Sequence, residues 1–306
     1  MRVAMTPESD RPPPPAEEMA RHLVGQWPRV RVDHVTRRVS KGDESRRTAS
    51  PWAAPGQWEW SNPKPSRDRT LEVDDMTPPT PQHAYPPAPV HIPIGAVEIA
   101  GDLVVPPLAE GGVIFAHGSG SARFSARNRE VASALNAAGF ATLLLDLLTP
   151  SEERWDATTG ALRFDIAFLA RRLSAATDWI AANPTTSDLP IGYFGASTGT
   201  AAAISAAALR RDIRAIVSWA GRPDLADALI SKVSAPTLLI VGGDDALAMD
   251  LNLEALHQLH CQKALQIVPR ASHLFEEADA LAEVTGLARE WYRRHLTVAS
   301  PPGVAG

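Results

Sequence analysis

Ser197 lies in the pentapeptide Gly195-Ala196-Ser197-Thr198-Gly199, between the apolar run 191–194 and the alanine-rich stretch 200–209. A serine on a strand-to-helix turn is placed to act as a nucleophile, because the helix N-terminus directs backbone N–H groups and partial positive charge at its oxygen. The flanking glycines permit a sharp turn and a close helix. Small residues co-occur often in Ala/Gly-rich chains, so the pentapeptide alone also fits a structural turn. Its chemistry depends on partners.

A serine hydroxyl needs a histidine to take its proton during attack, and that histidine needs a carboxylate to fix its tautomer. Both residue types stand where other apolar runs end. The run 237–241 leads into Gly242-Gly243-Asp244-Asp245, and 264–268 leads into Pro269-Arg270-Ala271-Ser272-His273. A third run, 113–116, leads into His117-Gly118-Ser119-Gly120-Ser121, whose flexible backbone can turn N–H groups inward. The chain order is Ser, Asp, His. Of the two aspartates, Asp245 is preferred, since two glycines and one residue precede it and carry it beyond the strand end, while Asp244 is read as a turn residue. His273 is the histidine that follows a late strand. His257 and His260 sit three apart on a helical segment with no third ligand nearby, so no metal is expected, and no cofactor.

The elements that must position these groups are strands at 97–105, 113–116, 141–145, 191–194, 215–219, 237–241 and 264–268. Helices are expected between them at 130–138, 164–182, 198–209, 225–230, 251–259 and 278–295. Alternating strands and helices predict an α/β fold with a mostly parallel sheet covered by helices on both faces. Ligands then bind at the carboxyl ends of the strands, where the three runs deliver their loops. Residues 147–163 read as a short connection with no large cap insertion.

Residues 1–88 differ in character. Sixteen of the 27 prolines fall within residues 1–90, and basic and acidic residues interleave there. Such a stretch excludes long helices and central strands, and its low apolar content does not repay the entropy of ordering. Residues 1–88 are therefore expected to be a largely disordered extension, residues 89–298 the catalytic domain and 299–306 a flexible tail. Trp52, Trp58 and Trp60 stand in that extension without a periodic pattern. Met76 is an alternative native start, at an abrupt change of character; intact mass of the product of the native gene decides this.

The formal charge of −5 leaves no global positive field for nucleic acid or an anionic membrane surface. No apolar run approaches the roughly 20 residues that span a bilayer. The one cysteine, Cys261, is placed in a helix as a small apolar residue and suits a reducing, cytoplasmic setting. Composition says nothing of oligomeric state.

The region 94–296 resembles the α/β-hydrolase superfamily, and within it the dienelactone-hydrolase-like branch. Four stretches carry the resemblance: Phe115-Ala116-His117-Gly118-Ser119-Gly120-Ser121, Gly195-Ala196-Ser197-Thr198-Gly199, Ile240-Val241-Gly242-Gly243-Asp244-Asp245 and Ala271-Ser272-His273-Leu274-Phe275. The resemblance implies Ser197 as nucleophile, Asp245 as acid and His273 as base. It also implies an oxyanion hole from the backbone N–H groups of Thr198 and Ser119. Dienelactone hydrolases proper use cysteine where this chain has serine, which points away from dienelactone itself; the absence of a large cap insertion makes a short-chain carboxylic ester, with water, the expected substrate. A thioester, lactone or amide with the same triad, or a non-catalytic binding module, are the alternatives. Some serine-bearing relatives are fused to a phosphoribosyltransferase domain, but residues 1–88 contain no acidic pair followed by a Gly- and Thr-rich phosphate loop. Candidate substrate contacts are His117, Arg123 and Arg127 near the 118–120 loop, together with Trp155 and Trp219.

Overall fold

The computed structural model describes residues 85–118, 123–277 and 279–296. Eight strands form one sheet in the order β1-β2-β4-β3-β5-β6-β7-β8. These are β1 Ala88–Ile94, β2 Val97–Val104, β3 Gly111–Ala116, β4 Phe140–Leu145, β5 Ile191–Ala196, β6 Ile213–Trp219, β7 Thr237–Gly242 and β8 Lys263–Val268. From β4 to β8 every pairing is parallel, while β1 and β2 run antiparallel at one end. The helices are α1 Ala126–Ala137, α2 Pro150–Thr159, α3 Ile166–Ala182, α4 Thr198–Leu209, α5 Ala246–Gln258 and α6 Ala280–His295. A 3-10 segment, Pro223–Lys232, follows β6.

Both faces of the sheet are covered because its strands are apolar on both sides. Along β3, Ile114 and Ala116 join a core with α3 and α4, whereas Val113 and Phe115 join a second core with α1 and α6. Strand β4 divides likewise, with Leu143 and Leu145 on the first face and Leu144 on the second. Helix α4 is buried from Thr198 through Ala207, which accounts for its composition. A helix buried all round must be apolar all round, and alanine lets it lie close against the strands.

The expected strands and helices are present with shifted ends, except that the helix expected at 225–230 is a 3-10 segment broken at Asp227, and three further differences are substantive. Strand β1 opens the catalytic domain at 88–94, where no element was expected; it contains Pro89 and Pro93 yet forms because it is an edge strand, paired on one side only. The 147–163 connection contains α2, whose start has Pro150 in its first turn and a capping box between Thr149 and Glu152. Arg172 grips Glu152 through two nitrogens at 2.6 and 2.7 Å, holding α2 against α3. Third, Cys261 is not helical: it falls between α5 and β8, half-buried, with its sulfur 3.8 Å from Thr237 Oγ1. Burial pushes its thiol pKa up, which suits no nucleophile.

The readings of residues 1–84 as an extension, of the three tryptophans in it, of Met76 as a start and of the tail from 299 lie outside the described residues. Among the described residues no helix is long and apolar enough to cross a membrane. Nor does any group of three or more His, Cys, Asp or Glu gather there that could hold a metal ion.

Candidate active site

Ser197 is the N-cap residue of α4 and has φ 51° and ψ −125°, a conformation that L-residues rarely adopt. Its backbone is held from three sides. The Ser197 N–H donates to the Trp219 carbonyl at 3.3 Å, and its own carbonyl accepts from Thr200 N at 3.1 Å and Arg222 N at 3.0 Å. Gly199 must be glycine because a Cβ there would lie inside the Ala116 carbonyl, and a Cβ at Gly195 would stand 2.6 Å from Thr200 Cα. Behind the turn, buried Thr200 donates to the Gly195 carbonyl at 3.0 Å and pairs with Ser218 at 3.1 Å. The chain thus over-determines a strained backbone that presents one side chain.

His273 comes from the loop after β8, and its Nδ1 lies 2.6 Å from Asp245 Oδ2. Asp245 follows β7 and is the N-cap of α5, where its Oδ1 accepts from Ala248 N at 3.1 Å. Asp244 is exposed, and its backbone N–H donates to the Ala271 carbonyl at 3.0 Å. The His273 loop has further anchors on both sides. Ser272 N donates to Glu277 at 3.0 Å, a bond that holds the Glu277 carboxyl below its usual range. Arg127 Nη1 donates to the Leu274 carbonyl. Phe275, buried at φ 51°, meets Trp219 edge-on at 5.7 Å between ring centres.

Ser197 and His273 line one open cleft of about 180 Å³. Gly118 forms another part of the wall: a Cβ built there would be 2.8 Å from Ser197 Cβ, so the 117–118 backbone passes directly over the serine. Thr198 is the first residue of α4, and its N–H belongs to the first turn, which has no intrahelical acceptor. Ser119 lies outside the described residues. His117 is buried, and desolvation lowers its pKa, so its ring is neutral at neutral pH.

The remaining candidates separate. Arg127 and Trp219 line the cleft. Arg123 and Trp155 are not among its lining residues. The Arg123 guanidinium binds Asp102 Oδ1 at 2.8 Å and Asp146 Oδ2 at 3.0 Å, and its backbone N–H binds Asp146 Oδ1 at 3.0 Å. Those two carboxylates occupy the group expected to meet substrate. Trp155 is 51% exposed on α2, a helix the sequence reading lacked. Conversely, Ser125 and Asn128 line the cleft and were not singled out. Their signal was present: Ser125 is the N-cap of α1 and accepts from Asn128 N at 3.5 Å, but the helix was expected to begin only at 130.

Chemically, the arrangement offers a hydroxyl on a strained turn, an imidazole oriented by a carboxylate, and backbone N–H groups at a helix start. Among the described residues, Arg127 and His273 are the ionisable ones that line the cleft.

The Dienelactone hydrolase family matches residues 100–295 of this chain. A dienelactone hydrolase from Anabaena variabilis has a crystal structure similar to this one, with 54% sequence identity and a TM-score of 0.68; the match covers 70% of this chain and 100% of that one. Est1E from Butyrivibrio proteoclasticus shares the fold at 18% identity and a TM-score of 0.57, over 67% of this chain and 98% of its own. A Mycobacterium tuberculosis protein named "Putative phosphoribosyl transferase" is 52% identical over 215 residues, 70% of this chain and 48% of that protein. The chain thus spans about half the length of the curated relatives it matches. With its α/β-hydrolase sheet and this match across most of the described residues, the chain belongs to the dienelactone hydrolase family.

Proposed function

We propose that the chain is a serine hydrolase that cleaves carboxylic esters of short acyl chain through an acyl-serine intermediate. One observation carries this reading: Ser197, strained at the start of α4, shares a cleft with His273, whose Nδ1 is held by Asp245 at 2.6 Å.

In this mechanism Ser197 Oγ forms a bond to the ester carbonyl carbon while His273 Nε2 takes the hydroxyl proton. The negative oxygen that develops is met by the backbone N–H groups of Thr198 and Ser119. Collapse breaks the bond to the leaving alkoxide, which receives the proton from His273 and departs as alcohol. Water then adds to the acyl-serine, giving its proton to His273, and collapse releases the carboxylic acid as Ser197 regains its proton. Asp245 holds the ring in the required tautomer throughout and stabilises the imidazolium.

The cleft volume supports small substrates, since about 180 Å³ is below the roughly 300 to 1,000 Å³ of sites for drug-sized ligands. The transferase name of the mycobacterial relatives belongs to proteins of which the matched 215 residues are only 48%, whereas the Dienelactone hydrolase family match over residues 100–295 takes in most of this sheet and cleft. A fluorophosphonate probe and p-nitrophenyl acetate test the proposal together. The expected result is labelling and hydrolysis that both vanish in Ser197→Ala. Full hydrolysis by that variant overturns the reading.

A further inference from the structure

Asn252, in the middle of α5, is fully buried, yet it does not line the cleft. Its amide nitrogen donates twice, to the Gly221 carbonyl at 3.0 Å and to the Ala248 carbonyl at 2.8 Å. Its Oδ1 is buried without a hydrogen-bond partner among the described residues, a cost that leucine at the same place would avoid. Flipping the amide gives no relief, because Oδ1 would then face both carbonyls. Whatever this side chain contributes, it contributes through the nitrogen.

The bond to Gly221 reaches beyond the turn that contains it. The Gly221 carbonyl and the Arg222 N–H belong to one planar trans peptide and point in opposite directions. That N–H donates to the Ser197 carbonyl at 3.0 Å. The Ser197 carbonyl is one end of a further peptide, whose other end is the Thr198 N–H, an oxyanion donor in the mechanism above. Asn252 Nδ2, the 221–222 peptide and the 197–198 peptide thus form one chain of hydrogen-bonded amides that ends at the developing oxyanion. Bonds in such a chain polarise one another in the same sense.

The 197–198 plane needs support from outside, since Ser197 holds it at a strained ψ of −125°. The turn that supplies the support is itself tightly placed. A Cβ on Gly221 would lie 2.1 Å from Ser218 Oγ and 2.4 Å from Thr200 Oγ1, and the Ala220 N–H donates to the Ile240 carbonyl at 3.0 Å. Asn252 holds the same turn by the carbonyl next to the bond that reaches Ser197.

We propose that Asn252 is a positioning residue for hydrolysis, acting through the 221–222 peptide to hold the Thr198 N–H on the oxyanion. This rests on the esterase reading above and adds to it a residue outside the cleft. Its bond to Ala248 offers a second route, because the Ala248 N–H is bound by Asp245; the experiment therefore separates the oxyanion from the acid.

The test measures kcat and KM for p-nitrophenyl acetate, the pH dependence of kcat/KM, and inhibition by a trifluoromethyl ketone, whose adduct with a serine carries an oxyanion. The variants are Asn252→Leu and Asn252→Ser, with Leu259→Ala as a control that loses only core packing at the end of the same helix. Serine at 252 can still bond the carbonyl one turn back, at Ala248, but is too short for Gly221. In both Asn252 variants kcat is expected to fall about tenfold, part of the roughly 100- to 1,000-fold lost with a whole oxyanion donor. KM is expected to stay, because acylation and deacylation both pass through an oxyanion and slow together. The ketone is expected to bind more weakly by a similar factor, and the acid limb of the pH profile to stay in place. Should Asn252→Leu fail to fold, Asn252→Ser decides. A kcat within about twofold of the unaltered chain in the folded Asn252 variants, or a loss matched by Leu259→Ala, overturns the proposal. So does a displaced acid limb with unchanged ketone binding, which assigns Asn252 to Asp245. Absence of hydrolysis in the unaltered chain overturns the esterase reading and this proposal together, whereas hydrolysis with an unmoved kcat in the variants overturns only the proposal.

Discussion

Asp245 serves two partners with its two carboxylate oxygens: Oδ2 lies 2.6 Å from His273 Nδ1, and Oδ1 accepts the Ala248 N–H at 3.1 Å. One side chain therefore fixes the imidazole and starts α5. Because α5 begins at Ala246, directly after the aspartate, the position of the acid depends on a local helix start and not on a long loop.

The two duties respond differently to substitution. Asn caps a helix as well as Asp, so Asp245→Asn is expected to leave the melting temperature nearly unchanged. It removes the charge that stabilises the imidazolium and permits the wrong tautomer, so kcat for p-nitrophenyl acetate is expected to fall by roughly 10³- to 10⁴-fold. Asp245→Ala loses the cap as well, at about 1 kcal/mol of stability. Steady-state kinetics beside thermal melts separates the two effects, and equal melting temperatures for Asn and Ala would contradict the capping role.

The backbone of Ser197 carries a stability cost that can be measured. A non-glycine residue at φ 51° and ψ −125° is strained by about 1 to 3 kcal/mol. Glycine relieves that strain at an entropic cost of about 0.5 to 1 kcal/mol. Ser197→Gly is thus expected to melt higher than the unaltered chain while losing its hydrolysis, and a lower melting temperature than that of Ser197→Ala would show the turn to be unstrained.

Much of this arrangement was legible in the sequence because its signals are local. Apolar runs gave the interior strands, and the residues just beyond them included Ser197, Asp245 and His273, which the loops bring into one region of the fold. Helix α2 was equally legible in Thr149-Pro150-Ser151-Glu152, a capping box with proline in the first turn, but the polar composition of 147–163 obscured it. Strand β1 was hidden for a different reason: proline content reports whether a strand can be central, and only pairing shows that this one is an edge. The fate of Arg123 was not legible at all, since Asp102 and Asp146 reach it from β2 and from beyond β4 through tertiary packing.

Arg123 illustrates what such packing supports. Its guanidinium and backbone N–H join the chain just beyond the 118–122 loop to Asp102 and Asp146, and its carbonyl accepts from Arg129 Nε at 3.1 Å. All three side chains of the cluster are mostly shielded. Arg123→Met leaves two carboxylates without their guanidinium, and is expected to destabilise the fold by about 3 kcal/mol. It also loosens the start of α1, whose Ser125, Arg127 and Asn128 line the cleft with Ser197, so kcat is expected to fall further than KM rises. Urea unfolding with parallel kinetics checks both; unchanged stability would show that Arg129 alone satisfies Asp102.

His117 makes stability depend on pH. Burial lowers its pKa in the folded protein, while in the unfolded chain it titrates near 6.5. Between those two values the unfolded chain binds a proton that the folded chain does not. The stability that neutral His117 contributes is therefore present above about pH 6.5 and is lost as pH falls below it, with a limiting slope of about 1.4 kcal/mol per pH unit. His117→Asn carries no such proton, so its unfolding free energy is expected to decline less steeply between about pH 6.5 and 5. His295, whose pKa is also lowered by burial and by Arg294, leaves a residual slope in the variant. Urea midpoints measured across that range give the comparison directly: converging curves fit a buried neutral imidazole beside the Gly118 backbone, and parallel curves would mean that His117 is as solvated when folded as when unfolded.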